Sequence, residues 1–165
     1  MEALLEPMEA LSGIWKIKSP VISTFAINFS FLHTMNKNIL LTAALLGAVA
    51  VMLGAFAAHG LKQMIRAEQI EIFQKGVTYQ FYHVFALLAV GILYKEVGNN
   101  LLKWSARLFT AGIVFFSGSL YYLAFFEADA PPSPKWQWLY LITPLGGLCF
   151  IVGWLLLALA VAKNK

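Results

Sequence analysis

His59, Tyr79, Gln80, His83, Ser117, Ser119, Tyr121 and Thr143 are the side chains of this 165-residue chain whose types and spacing could do chemistry. On a helix, Gln80 and Tyr79 lie three and four positions before His83, so the three meet on one face. An imidazole among a carboxamide, phenols and hydroxyls can tie neighbouring helices, hold a small molecule or ion, or ligate a metal. Metal ligation is the thinnest of these, because two histidines have no acidic or cysteine companion in the apolar runs that carry the set. The nearest carboxylates, Glu68, Glu71, Glu127 and Asp129, fall in connectors. No nucleophile with a base and an orienting group is present, nor a phosphate-cradling loop, nor a carboxylate pair. The residues thus predict, in descending order, a hydrogen-bonded plug between helices, a pocket for a small molecule or ion, and a metal or haem site. No catalytic residue, metal or cofactor is assigned.

Four apolar stretches position these groups, at residues 39–58, 77–94, 108–126 and 136–162, and no Asp, Glu, Lys or Arg interrupts any of them. A bilayer core about 30 Å thick needs roughly 20 helical residues to cross it. The chain is 60% hydrophobic and only 12% charged, with a mean hydropathy of +0.72. A soluble domain carries about 25% charged residues, so a water-exposed globule is excluded. The expected fold is all-α: a polytopic membrane protein, a four-helix bundle whose main partner is the lipid bilayer. The net charge of +4 does not point to nucleic acid, because the basic residues flank the spans instead of forming a patch with interleaved aromatics. The lone cysteine, Cys149, lies within the last span and reads as a packing residue.

Depth gives the polar residues their meaning. His83 falls about 9 Å inside the start of the second span at 1.5 Å per residue. His59 ends the first span, Ser117, Ser119, Tyr121 and Tyr122 occupy the second half of the third, and Thr143 and Pro144 open the fourth. All four helices therefore bring polar groups to one leaflet, where burial is costly unless they pair. Lys37, Lys95, Lys103, Arg107, Lys163 and Lys165 share one side, against Lys62, Arg66, Lys75 and Lys135 on the other. That asymmetry favours cytoplasmic termini.

Residues 60–76 are amphipathic, with Leu61, Met64, Ile65, Ile72 and Phe73 on one face and glycines at both ends, and predict an interfacial helix between the first two spans. Residues 127–135 hold Pro131, Pro132 and Pro134 and predict an extended loop. Trp136, Trp138 and Tyr140 follow as an aromatic anchor. Gly47, Gly54, Gly112, Gly146 and Gly147, with Ala43, Ala50 and Ala58, supply flat surfaces for helix packing. Pro144 is expected to break or bend the last helix. Residues 1–34 differ in texture and read as an N-terminal extension, disordered or a misassigned start, with an interfacial helix or a cleaved signal as the other readings. His33 in that stretch is incidental.

Four blocks in this order carry a resemblance: Gly-Ala-Phe-Ala-Ala-His-Gly-Leu-Lys at 54–62, Gly-Val-Thr-Tyr-Gln-Phe-Tyr-His at 76–83, Phe-Ser-Gly-Ser-Leu-Tyr at 116–121 and Thr-Pro-Leu-Gly-Gly at 143–147. Over about residues 35–161 the chain resembles the small bacterial membrane proteins labelled domain of unknown function 423, related to transmembrane protein 256. That pattern more often has glycine where Ala57 stands, a departure that bears on packing. The resemblance implies a four-helix protein of the bacterial inner membrane and supplies no activity, substrate or catalytic residue. Together these readings predict a non-enzymatic structural or accessory membrane protein, alone, as a homo-oligomer or with a membrane protein partner. The alternative is an oligomeric transporter or channel, or a small-ligand-binding protein using the polar cluster.

Overall fold

The computed structural model describes residues 36–126 and 139–163, and every regular element among them is helical. Residues 1–34, the proline-bearing connector and the anchor tryptophans Trp136 and Trp138 lie outside the described residues. Asn36 starts α1 (Lys37–His59) by accepting from the Ile39 amide at 3.3 Å, so its side chain satisfies one of the orphan donors of the first turn. A short 3-10 turn, Leu61–Gln63, leads to α2 (Ala67–Val97). Gln69 reaches back from α2 to accept from the Arg66 amide at 3.0 Å.

Gly98, at φ +50°, ends α2 in the left-handed conformation that glycine adopts without steric cost. Asn99 then caps α3 (Asn100–Gly112) through the Leu102 amide at 3.1 Å. A π-helical segment, Ile113–Ser117, joins α3 to α4 (Gly118–Phe126), and the three together make the third span. The last helix is α5 (Leu139–Ala162).

Four stretches are long and apolar enough to cross a membrane: Lys37–Gln63, Ala67–Val97, Asn100–Phe125 and Leu141–Ala162. Large apolar side chains face outward on several of them, with Met52 62% and Leu141 68% exposed. In water that surface would aggregate; in hydrocarbon it is the solvated side.

Two expectations need correction in detail. The amphipathic stretch 60–76 does not form a helix of its own: a 3-10 turn at Leu61–Gln63 and a non-helical link at 64–66 lead into α2, which runs unbroken from Ala67 through Gly76. Gly76 is buried, and a Cβ added there would come within 2.7 Å of the Tyr121 ring, so its smallness admits a neighbour and ends nothing. Of its apolar face, Leu61 and Phe73 pack inward with Ala57, Val77 and Ala124, while Met64 stays exposed. Pro144 does not interrupt α5 either. It sits in the second turn, where little helix precedes it and its ring disturbs few bonds.

The packing order is α1 on α2, α2 on the third span, and the third span on α5. In α1 only 11% of the apolar window is buried, against 50% in α2, so α1 flanks the assembly and α2 forms its centre. Ala43, Gly47, Ala50, Gly54 and Ala57 of α1 repeat at alternating four- and three-residue steps, and so do Val77, Gln80, Val84, Leu87 and Gly91 of α2 in the reverse order. This is the heptad spacing of a close, left-handed helix pair. Gly47 lies 3.4 Å from Val84 and Gly54 lies 3.5 Å from Val77, measured from the Cβ each lacks, so larger side chains on α2 fill the hollows on α1. The larger core cluster joins Val84, Leu87 and Val90 of α2 to Phe109, Phe150 and Leu157.

Candidate functional site

Gln80 and His83 of α2 are buried where α2 meets the other helices. Gln80 is 2% exposed; its Nε2 donates to the Leu46 carbonyl of α1 at 2.7 Å, and its Oε1 accepts from the Tyr121 hydroxyl of α4 at 2.8 Å. One carboxamide therefore ties three helices. The Leu46 oxygen uses its second lone pair for this bond, which a helical carbonyl retains.

His83 lies one turn further along. Its Nδ1 is 2.8 Å from the Tyr79 carbonyl, and the Trp154 indole of α5 donates to its Nε2 at 3.3 Å. An indole N–H can only donate, so Nε2 accepts and Nδ1 carries the proton it gives to Tyr79. The ring also stacks on Phe150, with centroids 3.4 Å apart and 7° between planes. Both nitrogens and one face of the imidazole are thus engaged. Taking up a metal or a substrate proton at Nε2 would first require breaking the Trp154 bond.

A third tie joins α4 to α5 through Ser119 and Thr143, whose hydroxyls are 2.7 Å apart. Ser119 donates to the Phe116 carbonyl at 2.8 Å, which leaves the Thr143 hydroxyl to donate to Ser119. The expected cluster is therefore three separate ties on one half of the molecule. Tyr79 is 38% exposed and contributes its carbonyl and a ring packed 4.7 Å from Phe116. His59 is not brought to the others; it is exposed at the end of α1, with Nδ1 3.1 Å from Ala55 O of its own turn. Ser117 is fully buried in the π segment, and its Oγ has no hydrogen-bond partner among the described residues.

The glycines divide by what they admit. Gly112 faces the Phe150 ring so closely that no Cβ fits, and Gly146 faces the backbone of Phe116, whose Cα would be 2.8 Å from an added Cβ. A π segment widens its turn by one residue. Here the widened turn, Ile113–Ser117, carries the Phe116 backbone against α5 at Gly146. Gly147 has only ordinary contact, 3.9 Å from the Phe116 ring.

Two residues of this region carry chemistry the spacing did not reveal. Trp154 completes His83, and buried Ser105 of α3 donates to the Gly153 carbonyl of α5 at 2.9 Å. Trp154 was legible only as a polar N–H stranded deep in an apolar run. Ser105 falls outside a span bounded by charge, because Lys103 and Arg107 lie on either side of it.

An open groove of about 770 Å³ runs between α2 and α5, walled by Tyr79, Phe116, Phe150 and Trp154 with His83 at its base. Among the described residues no three of His, Cys, Asp and Glu come together as a metal-holding group.

Comparison with known proteins adds a family. The family described as "Protein of unknown function (DUF423)" matches residues 53–147. A UPF0382 membrane protein of Staphylococcus epidermidis is 40% identical over 127 residues, covering 77% of this chain and 97% of the relative. One from Haemophilus influenzae is 39% identical over 131 residues, covering 79% and 98%. The UPF0382 membrane protein YwdK of Bacillus subtilis is 36% identical over 128 residues, covering 77% and 98%. No solved structure matches the chain.

Proposed function

Because the chain belongs to the DUF423 family of UPF0382 membrane proteins, we propose that it is a non-enzymatic, multi-pass protein of the cell (inner) membrane with a structural or accessory role. The observation that supports this reading is the use made of the polar side chains. Gln80, Tyr121, His83, Ser119 and Thr143 spend their interhelical hydrogen bonds on one another, on Trp154 and on a backbone carbonyl. They act as ties between helices that apolar contact alone would leave free to slide, since lipid tails solvate leucine as well as a neighbouring helix does.

Replacing His83 with alanine removes a stacked ring and the acceptor of Trp154, and is expected to cost about 2–4 kcal/mol of stability in detergent. Thermal unfolding of the purified variant measures it. A variant as stable as the parent would remove the structural role.

The basic residues at the start of α1, at the α2–α3 turn and at the end of α5 support an orientation with both termini in the cytoplasm. A Lys165→Cys variant is expected to resist a membrane-impermeant maleimide in intact spheroplasts and to react after permeabilisation. Labelling in intact spheroplasts would reverse the orientation.

A second reading, a small-ligand-binding protein or an oligomeric transporter, is favoured by the aromatic groove between α2 and α5. Native mass measurement from lipid separates the two, since a monomer that carries no solute would eliminate the pore and the ligand together.

A further inference from the structure

We propose that the cleft between α1 and α3 is a binding site for one anionic phospholipid, its headgroup held by Lys103 and Arg107. This inference stands apart from the role of the polar ties and uses none of them. The cleft exists because α1 packs on α2 and leaves the flank of α3 uncovered. Its volume is about 620 Å³, and its chemistry is graded along its length. At the end where α1 begins, it is edged by Asn36, Asn38, Lys103 and Arg107; farther in, Leu87, Val114 and Phe115 wall it with Thr42 and Thr110, whose hydroxyls are spent on the Asn38 and Ala106 carbonyls of their own helices. From Lys103 to Phe115 the chain rises about 18 Å at 1.5 Å per helical residue. That is about the depth of one leaflet of a bilayer core. A polar mouth above an apolar trough of leaflet depth matches a lipid's head above its acyl chain.

The charge at the mouth has one sign. Lys103 and Arg107 are four residues apart on one face of α3, and among the described residues no Asp or Glu lines the cleft. Each cation rests over a ring: Arg107 is 4.9 Å from the centroid of Trp104, and Lys103 is 5.8 Å from that of Tyr94. A ring contact positions each cation without neutralising it. A phosphodiester offers oxygens that a guanidinium can take two at a time and an ammonium can meet as a point charge. A zwitterionic headgroup would bring a cation of its own toward the same pair, so a net negative headgroup is selected.

The test titrates the purified full-length protein with phosphatidylglycerol and, separately, phosphatidylcholine, and counts retained lipid by native mass spectrometry. The parent is expected to retain one phosphatidylglycerol per chain, at least about ten-fold more tightly than phosphatidylcholine. Each juxtamembrane charge contributes about five-fold to anionic lipid affinity, so K103Q with R107Q should weaken phosphatidylglycerol about thirty-fold and leave phosphatidylcholine unchanged. Lys163, beyond the end of α5 and not part of the cleft, is the control. K163Q should shift retention less than two-fold. Equal retention of the two lipids by the parent overturns the proposal, as does a K163Q loss equal to that of the pair. Should the paired variant fail to fold, Ala111→Phe fills the cleft with both charges intact, and undiminished phosphatidylglycerol binding in that variant overturns the proposal as well.

Discussion

Gln80 uses both ends of one carboxamide to hold α1 and α4 onto α2. Replacing it with leucine keeps the volume and removes both bonds, leaving the Tyr121 hydroxyl without its acceptor. Hydrogen bonds between membrane helices average about 0.6 kcal/mol and reach about 1.7, so Gln80→Leu should destabilise by about 1–3 kcal/mol in thermal unfolding. Glycine gives a sharper contrast at this scale. Gly146→Ala forces a methyl into the Phe116 backbone, which cannot rotate away, and should cost about 3 kcal/mol or more. Gly147→Ala, one residue on, meets only a ring at 3.9 Å and gains helix propensity, so its stability should be unchanged or raised by up to about 1 kcal/mol. The sequence marked Gln80, His83, Tyr121, Ser119 and Thr143 because polar atoms deep in apolar runs need partners. It could not say which atom meets which, since partners 24 to 71 residues apart are set by packing rather than spacing.

The four spans were legible as elements, but the starts of the second and third were not. Charge-free runs start the second and third spans at residues 77 and 108, whereas α2 starts at Ala67 and α3 at Asn100. Helices outlast the hydrocarbon because long basic side chains such as Lys103 and Arg107 carry their charge toward the interface while their stems stay on the helix. The π segment left no trace in the periodicity, because one extra residue per turn across five residues is too short a phase shift to see. At the α2–α3 turn the backbone itself decides. Gly98→Ala must take φ near +50° and should lower stability by about 1 kcal/mol, read from the same unfolding curves.

Membrane residence was the most legible property of the whole molecule, because composition alone excludes a water-facing surface. The arrangement of the helices was not legible. Apolar helices in apolar solvent carry no pattern that ranks their neighbours, so α1's place on the flank, paired to α2 by small residues, emerges only in three dimensions. The same openness creates the α1–α3 cleft, and with it the lipid selectivity proposed for Lys103 and Arg107.

The length of α2 has a consequence for which force holds each end. Its 31 residues reach about 46 Å, against a hydrocarbon thickness of about 30 Å. The turns bearing Glu68, Glu71 and Lys75 precede the charge-free run that begins at residue 77, and Phe73 among them packs with Leu61 against Ala57 and Ala124. At that rim, expulsion of water drives assembly, and the contribution fades on cooling. Below it, around His83 and Phe150, no water is displaced, and close fit together with the hydrogen-bonded ties holds the helices. Chilling should therefore loosen the rim ahead of the interior, a difference that amide exchange along this one helix would record.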